Sequence, residues 1–150
     1  MTTIRIMKPL DLSDVYEVEK LAYKFPWQES IFHSAVKKHY CIVAEQTLEN
    51  SKTEIVGYAI MSSVLDEASI LNIVVSPNHQ KQGIGQLLLA NMLAEAVERE
   101  CVNVFLEVRA SNTSAYQLYV KNDFDEIGVR KNYYPSEDGR EDAILLARAL

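Results

Sequence analysis

An α/β fold on one mixed sheet is predicted for this chain by three observations. Helical and strand-like periodicities alternate along it in the order β-α-α-β-β-β-α-β-α-β-β. The middle of that order is rich in hairpins, with the polar turn "LENSKT" between two strand-like runs. The 150 residues, 48% hydrophobic and 24% charged, contain no repeat, linker or low-complexity segment, so one domain around one substantial core is expected.

Each element has its own signal. "TIRIM" alternates over residues 3–7 and reads as a strand. In "DLSDVYEVEKLAY", Leu12, Val15, Val18, Leu21 and Ala22 recur at helical spacing, with Asp11 placed as N-cap. "KFPWQES" interrupts this pattern at Pro26, and a short second helix is expected over residues 29–37. Strands follow over residues 40–46, 54–65 and 67–77, the last stopping at Pro77. Its segment "ILNIVV" is apolar enough for a central strand. A helix should then begin near Gly83 and run to about Glu100. There Ile84, Leu88, Met92 and Ala96 form one row, and Leu89, Leu93 and Val97 its neighbour. Gln86, Glu95, Glu98 and Arg99 are left for the polar side. Residues 102–108 read as a strand and residues 112–122 as a helix, while "FDEIGVRKNYY" and "EDAILLARAL" close the sheet.

Composition narrows the function classes. A formal charge of −6 argues against nucleic-acid binding, which needs a basic face. It also means that a polyanionic ligand would depend on local donors. No apolar run reaches the length of about 20 residues that spans a bilayer, and "MTTIRIMKPLDLSD" lacks the pattern of a secretion signal. Cys41 and Cys101 lie far apart in apolar surroundings and read as reduced core residues, so a cytoplasmic protein is expected. His33, His39 and His79 are scattered, no His/Cys pair has ligand spacing, and no metal site is expected. His79 reads as a solvent-exposed loop residue. No Ser-His-Asp set or reactive-cysteine signature is present, which points to direct transfer without an acyl-enzyme. A monomer is the default expectation for the oligomeric state.

The segment "PNHQKQGIGQLLLANML" places Gly83 and Gly85 at the opening of the long helix. They either make a tight turn only or let an anionic group reach the free N–H donors of the helix N-terminus. Structural glycines concentrate at helix C-terminal ends, the preceding strand aims the loop at the end of the sheet, and Gln80, Lys81 and Gln82 add donors with only one positive charge. Together these favour a diphosphate held by backbone amides. The segment lacks the Gly-Lys-Ser/Thr of a P-loop and the third glycine of a dinucleotide fingerprint.

"QKQGIG" at residues 80–85 resembles the Q/R-x-x-G-x-G/A acetyl-CoA pyrophosphate loop of the GNAT N-acetyltransferases, and "NTSAYQLY" at residues 112–119 resembles their later N-x-x-A-x-x-L-Y helix. Within that family, "FPW" at residues 25–27, "LDEASILNIVV" at 65–75, "LEVRASN" at 106–112 and "RKNYYP" with "DGREDA" inside residues 130–143 resemble the RimI type, which acetylates the N-terminal alanine of a small-subunit ribosomal protein. The resemblance implies a single GNAT domain over residues 1–150, with a mixed, mostly antiparallel central sheet flanked by helices. It implies acetyl-CoA as co-substrate, contacting Ile73, Val74 and Val75 and the loop Lys81, Gln82, Gly83, Ile84, Gly85 and Gln86, with Asn112 near the pantetheine. One departure is Asp123-Phe124 in place of the family's usual Gly-Phe. Asn122 or Asp123 would then take the left-handed conformation.

Glu107 lies in the strand "FLEVRA", where alternation puts Phe105, Glu107 and Arg109 on one face. By itself it reads as an outward-facing residue, and Arg109 is a candidate ion-pair partner. Tyr119 at the end of its helix reads equally as a core aromatic or as a neutral phenol able to protonate a leaving thiolate. The resemblance implies Glu107 as general base and Tyr119 as general acid.

Phe25, Pro26 and Trp27, like Tyr133, Tyr134 and Pro135, form aromatic–proline loops. Such loops are packing plugs or groove walls, and the resemblance implies that they flank a peptide groove. Asp138, Arg140, Glu141 and Asp142 either orient a basic peptide or shape the turn. The implied partner is therefore a ribosomal protein N-terminus. A protein α-amine, with a pKa of about 7.7–8.0 against about 10.4 for lysine, suits a single carboxylate base. The rival expectations are a GNAT enzyme for other N-termini or a small amine, and an acyl-CoA-binding module without turnover.

Overall fold

The computed structural model describes residues 1–150. Strand β1 (Thr2–Ile6) leads into helices α1 (Leu12–Ala22) and α2 (Glu29–Lys38). An antiparallel run follows of β2 (Tyr40–Thr47), β3 (Thr53–Val64) and β4 (Glu67–Val75). Helix α3 (Ile84–Glu98) crosses to β5 (Asn103–Arg109), α4 (Thr113–Lys121) follows, and β6 (Asp125–Ser136) and β7 (Gly139–Ala149) form the last hairpin. The sheet order is β1-β2-β3-β4-β5-β7-β6. Only β4 and β5 are parallel, because the α3 crossover joins them and a crossover is what permits a parallel pair.

The two faces of the sheet are covered differently. Ile84, Leu88, Met92 and Ala96 of α3 are buried with Tyr119, Phe124, Val104, Leu106 and Val108 on one face. Leu12, Val15 and Val18 of α1 and Phe32 of α2 pack on Val43, Tyr58 and Ile60 on the other. In α3 the second predicted row does not stay inside. Leu89 is buried, but Val97 is 59% exposed. A row at four-residue spacing turns about 40° per step around the helix, and this one winds away from the sheet.

The position of the site is set by a bulge. Ile60 pairs with Asn72 and Met61 with Ile70, so Leu71 is an extra residue in β4. A bulge bends its strand and sharpens the twist. Pairing of β4 with β5 stops at the residue before it, at Ile70 and Leu106, while β4 runs on to Val75 and β5 to Arg109. The strands therefore splay into a V, leaving one edge of β4 without a strand partner.

Several local expectations need correction. Asp11 stands at the N-cap of α1 but caps nothing there. Its carboxylate accepts from the Lys8 amide at 2.7 Å and pairs with Arg5 at 2.8 Å, a stronger partner than a neutral helix amide. His79 is not a free loop residue. Its turn folds back through Ser76 N–H donating to the Val56 carbonyl, and its Nδ1 is buried without a partner. Asp123 does take the left-handed conformation, at φ 69°, and lets Phe124 N–H donate to the Tyr119 carbonyl. Cys41 and Cys101 are buried and unpaired.

Candidate active site

The loop between β4 and α3 is shaped for donors. Lys81 at φ 63° and Gly83 at φ 80° are left-handed, which turns the chain so that the amides preceding α3 point outward. The N–H groups of Lys81, Gln82, Gly83, Ile84, Gly85 and Gln86 donate to no group of the protein. Six free donors at a helix N-terminus form an anion cradle. Space is not what demands glycine at 83, because a Cβ there would meet nothing within 4 Å; the positive φ is. At Gly85 a Cβ would lie 3.3 Å from Leu118, so close packing of α3 on α4 is the constraint. The Gln86 and Asn122 side-chain amides exchange two hydrogen bonds at 2.9 and 2.8 Å and tie those helices together.

Inside the V is a cleft of about 200 Å³, walled by Ile73, Glu107, Asn112 and Tyr119 together with Phe25, Trp27 and Tyr134. A second groove of about 650 Å³ lies along the helix-free face of β5, β6 and β7 and is lined by Phe105 and Tyr133. Glu107, Trp27 and Tyr134 line both cavities. The 25–27 loop and the Tyr133–Pro135 segment thus converge on the carboxylate; the latter is not the expected loop but the end of strand β6, beyond a register shift, paired with β7. Val74, Val75, Pro26 and the 81–86 loop line neither cavity; the loop follows β4, whose Ile73 lines the cleft. Val74 turns its side chain into the α1/α2 core, which leaves only its backbone for a ligand.

Glu107 is half-buried on the face opposite Leu106 and Val108, as alternation requires. Its cation is Arg130, at 3.0 Å, and not Arg109. Arg109 instead donates to the Pro135 carbonyl at 2.8 Å, pairs with Glu141 at 3.3 Å and lies 4.5 Å over the Tyr134 ring. It is a strut for the end of β6 and the start of β7. Same-face neighbours two apart are farther from each other than from cross-strand partners, which is why i+2 spacing misjudged the pair.

Tyr119 is buried, its ring edge-on to Phe124 at 5.8 Å. Its hydroxyl makes no side-chain hydrogen bond in the chain, and the residue belongs to the cleft wall. Burial, with Tyr23 and Tyr134 nearby, pushes the phenol well above its ordinary pKa, so it is a proton carrier at neutral pH. Burial likewise pushes Tyr134 and Tyr23 up to about 12. Asn112 caps α4 by accepting from Ala115 N–H at 3.2 Å.

Trp27 serves both roles considered for it, packing on Phe32 at 5.5 Å and walling the cleft. Arg140, Glu141 and Asp142, at the start of β7, bond to neighbouring segments and so shape the turn. Arg140 donates to the Asn132 and Tyr133 carbonyls, Glu141 accepts from Ser111, and Asp142 accepts from Asn132 N–H. One cleft residue escaped sequence reasoning altogether. Glu19 is a fully buried carboxylate that accepts from Trp27 N–H at 2.8 Å and Tyr58 hydroxyl at 2.6 Å. The readable signal was its position four residues after Val15, on the apolar stripe of α1.

Free amides between β4 and α3 suit a phosphate-bearing acyl donor, and a carboxylate and a neutral phenol lining one cleft suit acyl transfer. The fold and the site together define an acyltransferase. The chain belongs to the acetyltransferase (GNAT) family, whose model matches residues 11–124. It is 42% identical over 147 residues, 98% of this chain and 97% of the relative, to the [ribosomal protein bS18]-alanine N-acetyltransferase of Escherichia coli strain K12. The crystal structure of the ribosomal-protein-S18-alanine N-acetyltransferase from Escherichia coli has a TM-score of 0.89 at 39% identity, covering 99% of this chain and 94% of that one. The Arabidopsis thaliana NAA60 structure in complex with acetyl-CoA shares the fold, with a TM-score of 0.89 at 18% identity and coverage of 100% and 99%. No group of three or more His, Cys, Asp or Glu side chains is placed to hold a metal ion, and no helix is long and apolar enough to cross a membrane.

Proposed function

We propose that the protein transfers the acetyl group of acetyl-CoA to the N-terminal alanine α-amine of a small-subunit ribosomal protein in the cytoplasm. The observation that carries this reading is the convergence of the 25–27 loop and the end of β6 on Glu107, through Trp27 and Tyr134. A narrow opening of that kind admits an extended chain terminus with a small first residue. The 42% identity over nearly all of the relative supports the same acceptor.

The donor's pyrophosphate fits the free amides of Lys81 to Gln86, and its pantetheine fits the open edge of β4 at Ile73 to Val75, with Asn112 across the V. The amine nitrogen attacks the thioester carbonyl, a C–N bond forms and the C–S bond breaks. Glu107 takes the proton that the amine loses, directly or through one water. Tyr119 gives its proton to the departing thiolate, which the raised phenol pKa permits without prior ionisation. At neutral pH a useful fraction of an α-amine is already neutral, so one carboxylate suffices.

Peptides varied at the first three residues, assayed by mass spectrometry with wild-type protein and Glu107→Gln, test this. Alanine-first peptides should be acetylated at the α-amine, and the variant should lose about 10²–10⁴-fold in rate. Efficient labelling of an α-blocked, lysine-bearing peptide would overturn the assignment.

A further inference from the structure

Two carboxylates line the cleft, and only Glu107 has a cation beside it. Glu19 is 1% exposed and forms no ion pair. Its partners are all neutral donors: Trp27 N–H on Oε2, and the Tyr58 hydroxyl and Asn72 Nδ2 on Oε1, at 2.8, 2.6 and 3.4 Å. Asn72 Nδ2 also donates to the Tyr58 oxygen at 2.9 Å, which directs the Tyr58 proton onto Glu19. Every bond therefore runs toward the carboxylate, which acts as acceptor at both oxygens. A carboxylate has about four acceptor positions, and three are used. Oε2 accepts from Trp27 N–H alone.

A buried anion without a counter-ion is a costly arrangement for stability alone. At a cleft wall it creates a fixed negative potential in a region of low dielectric, where a cation is attracted more strongly than in water. The groups around it do not cancel that potential. Tyr23 and Tyr58 face it as neutral phenols, both held protonated by burial and by Glu19 itself. The cleft's one guanidinium, on Arg109, is engaged by Glu141 and the Pro135 carbonyl.

We propose that Glu19 is the anchor for the α-ammonium of the incoming peptide. It draws the protonated N-terminus into the cleft and holds it beneath the Trp27 loop; the ammonium loses its first proton to water, and Glu107 takes the second as the C–N bond forms. The inference rests on the acceptor being a protein α-amine. It makes Glu19 a substrate-positioning residue with two attachments, the loop wall through Trp27 N–H and the charged end of the substrate.

Two peptides test it: an alanine-first peptide, and the same peptide with a propionyl group replacing the alanyl residue, which removes only the ammonium. Their affinities are measured by calorimetry in the presence of coenzyme A. Wild-type protein should favour the ammonium form at least tenfold. Glu19→Gln should bring the ratio near unity with coenzyme A affinity unchanged, Glu19→Asp should restore much of the preference, and Glu107→Gln should retain it. A preference unchanged in Glu19→Gln, or lost in Glu107→Gln instead, overturns the proposal. So does equal binding of both peptides by wild-type protein, which needs no variant to fold. Acetylation of the alanine-first peptide by wild-type protein is read in parallel. Its failure strikes the functional assignment, whereas equal affinities with acetylation intact strike the anchor alone.

Discussion

Replacing Tyr119 with phenylalanine removes one oxygen from a buried ring and separates catalysis from stability. The ring keeps its edge contact with Phe124, 5.8 Å between centroids. The lost hydroxyl leaves no orphaned partner, because it bonds to nothing in the chain. A hydroxyl at the cleft wall that bonds to nothing in the chain adds little net stability, so unfolding free energy should change by less than about 1 kcal/mol. On the proposed mechanism the reaction loses its proton donor to the thiolate. A general acid contributes about 10²–10⁴-fold, or about 2.7–5.4 kcal/mol of barrier at 1.36 kcal/mol per tenfold. Coenzyme A release in single turnover measures the rate, and thermal unfolding measures stability. The phenol's raised pKa adds a constraint on the wild type. Turnover should show no alkaline limb from this residue below about pH 10, the ordinary tyrosine value. A variant that turns over within threefold of wild type, with acetyl-CoA bound normally, would refute the role of Tyr119.

Other expectations follow from backbone and burial. Asp123→Gly relieves a left-handed residue at φ 69° and should stabilise the fold by about 1 kcal/mol in thermal unfolding. Gly83→Val strains a residue at φ 80° although its Cβ has space, so calorimetry should find acetyl-CoA affinity reduced at least tenfold; unchanged affinity would exclude the loop as the phosphate cradle. Tyr58 and Tyr119 have folded pKa values raised by burial. Their contribution is intact below the unfolded value near pH 10 and is lost as pH rises toward the folded values, at about 1.4 kcal/mol per pH unit for each. Urea midpoints should therefore be flat from pH 7 to 9 and fall steeply above 10.

What the sequence determined by itself is whatever a short window encodes. Alternation put Glu107 opposite Leu106 and Val108, four-residue spacing put Ile84, Leu88, Met92 and Ala96 on one buried row, and glycine marked the left-handed entry to α3. These outcomes depend on backbone period and local sterics, so they could be read without knowing what lies across the fold. The GNAT motifs placed Glu107, Asn112, Tyr119, Trp27 and Tyr134 in one cleft through resemblance, and the tertiary structure does bring them together. Only that structure decided the pairings among distant segments. Arg130 sits on Glu107 and Arg109 on Glu141 because β5, β7 and β6 lie side by side in that order. The V between β4 and β5 opens at a one-residue bulge that no residue type announces. Glu19 is buried because Trp27, Tyr58 and Asn72 arrive from three other segments to solvate it. A buried charge is tolerated only where enough donors converge, and convergence is a property of the fold and not of any one segment.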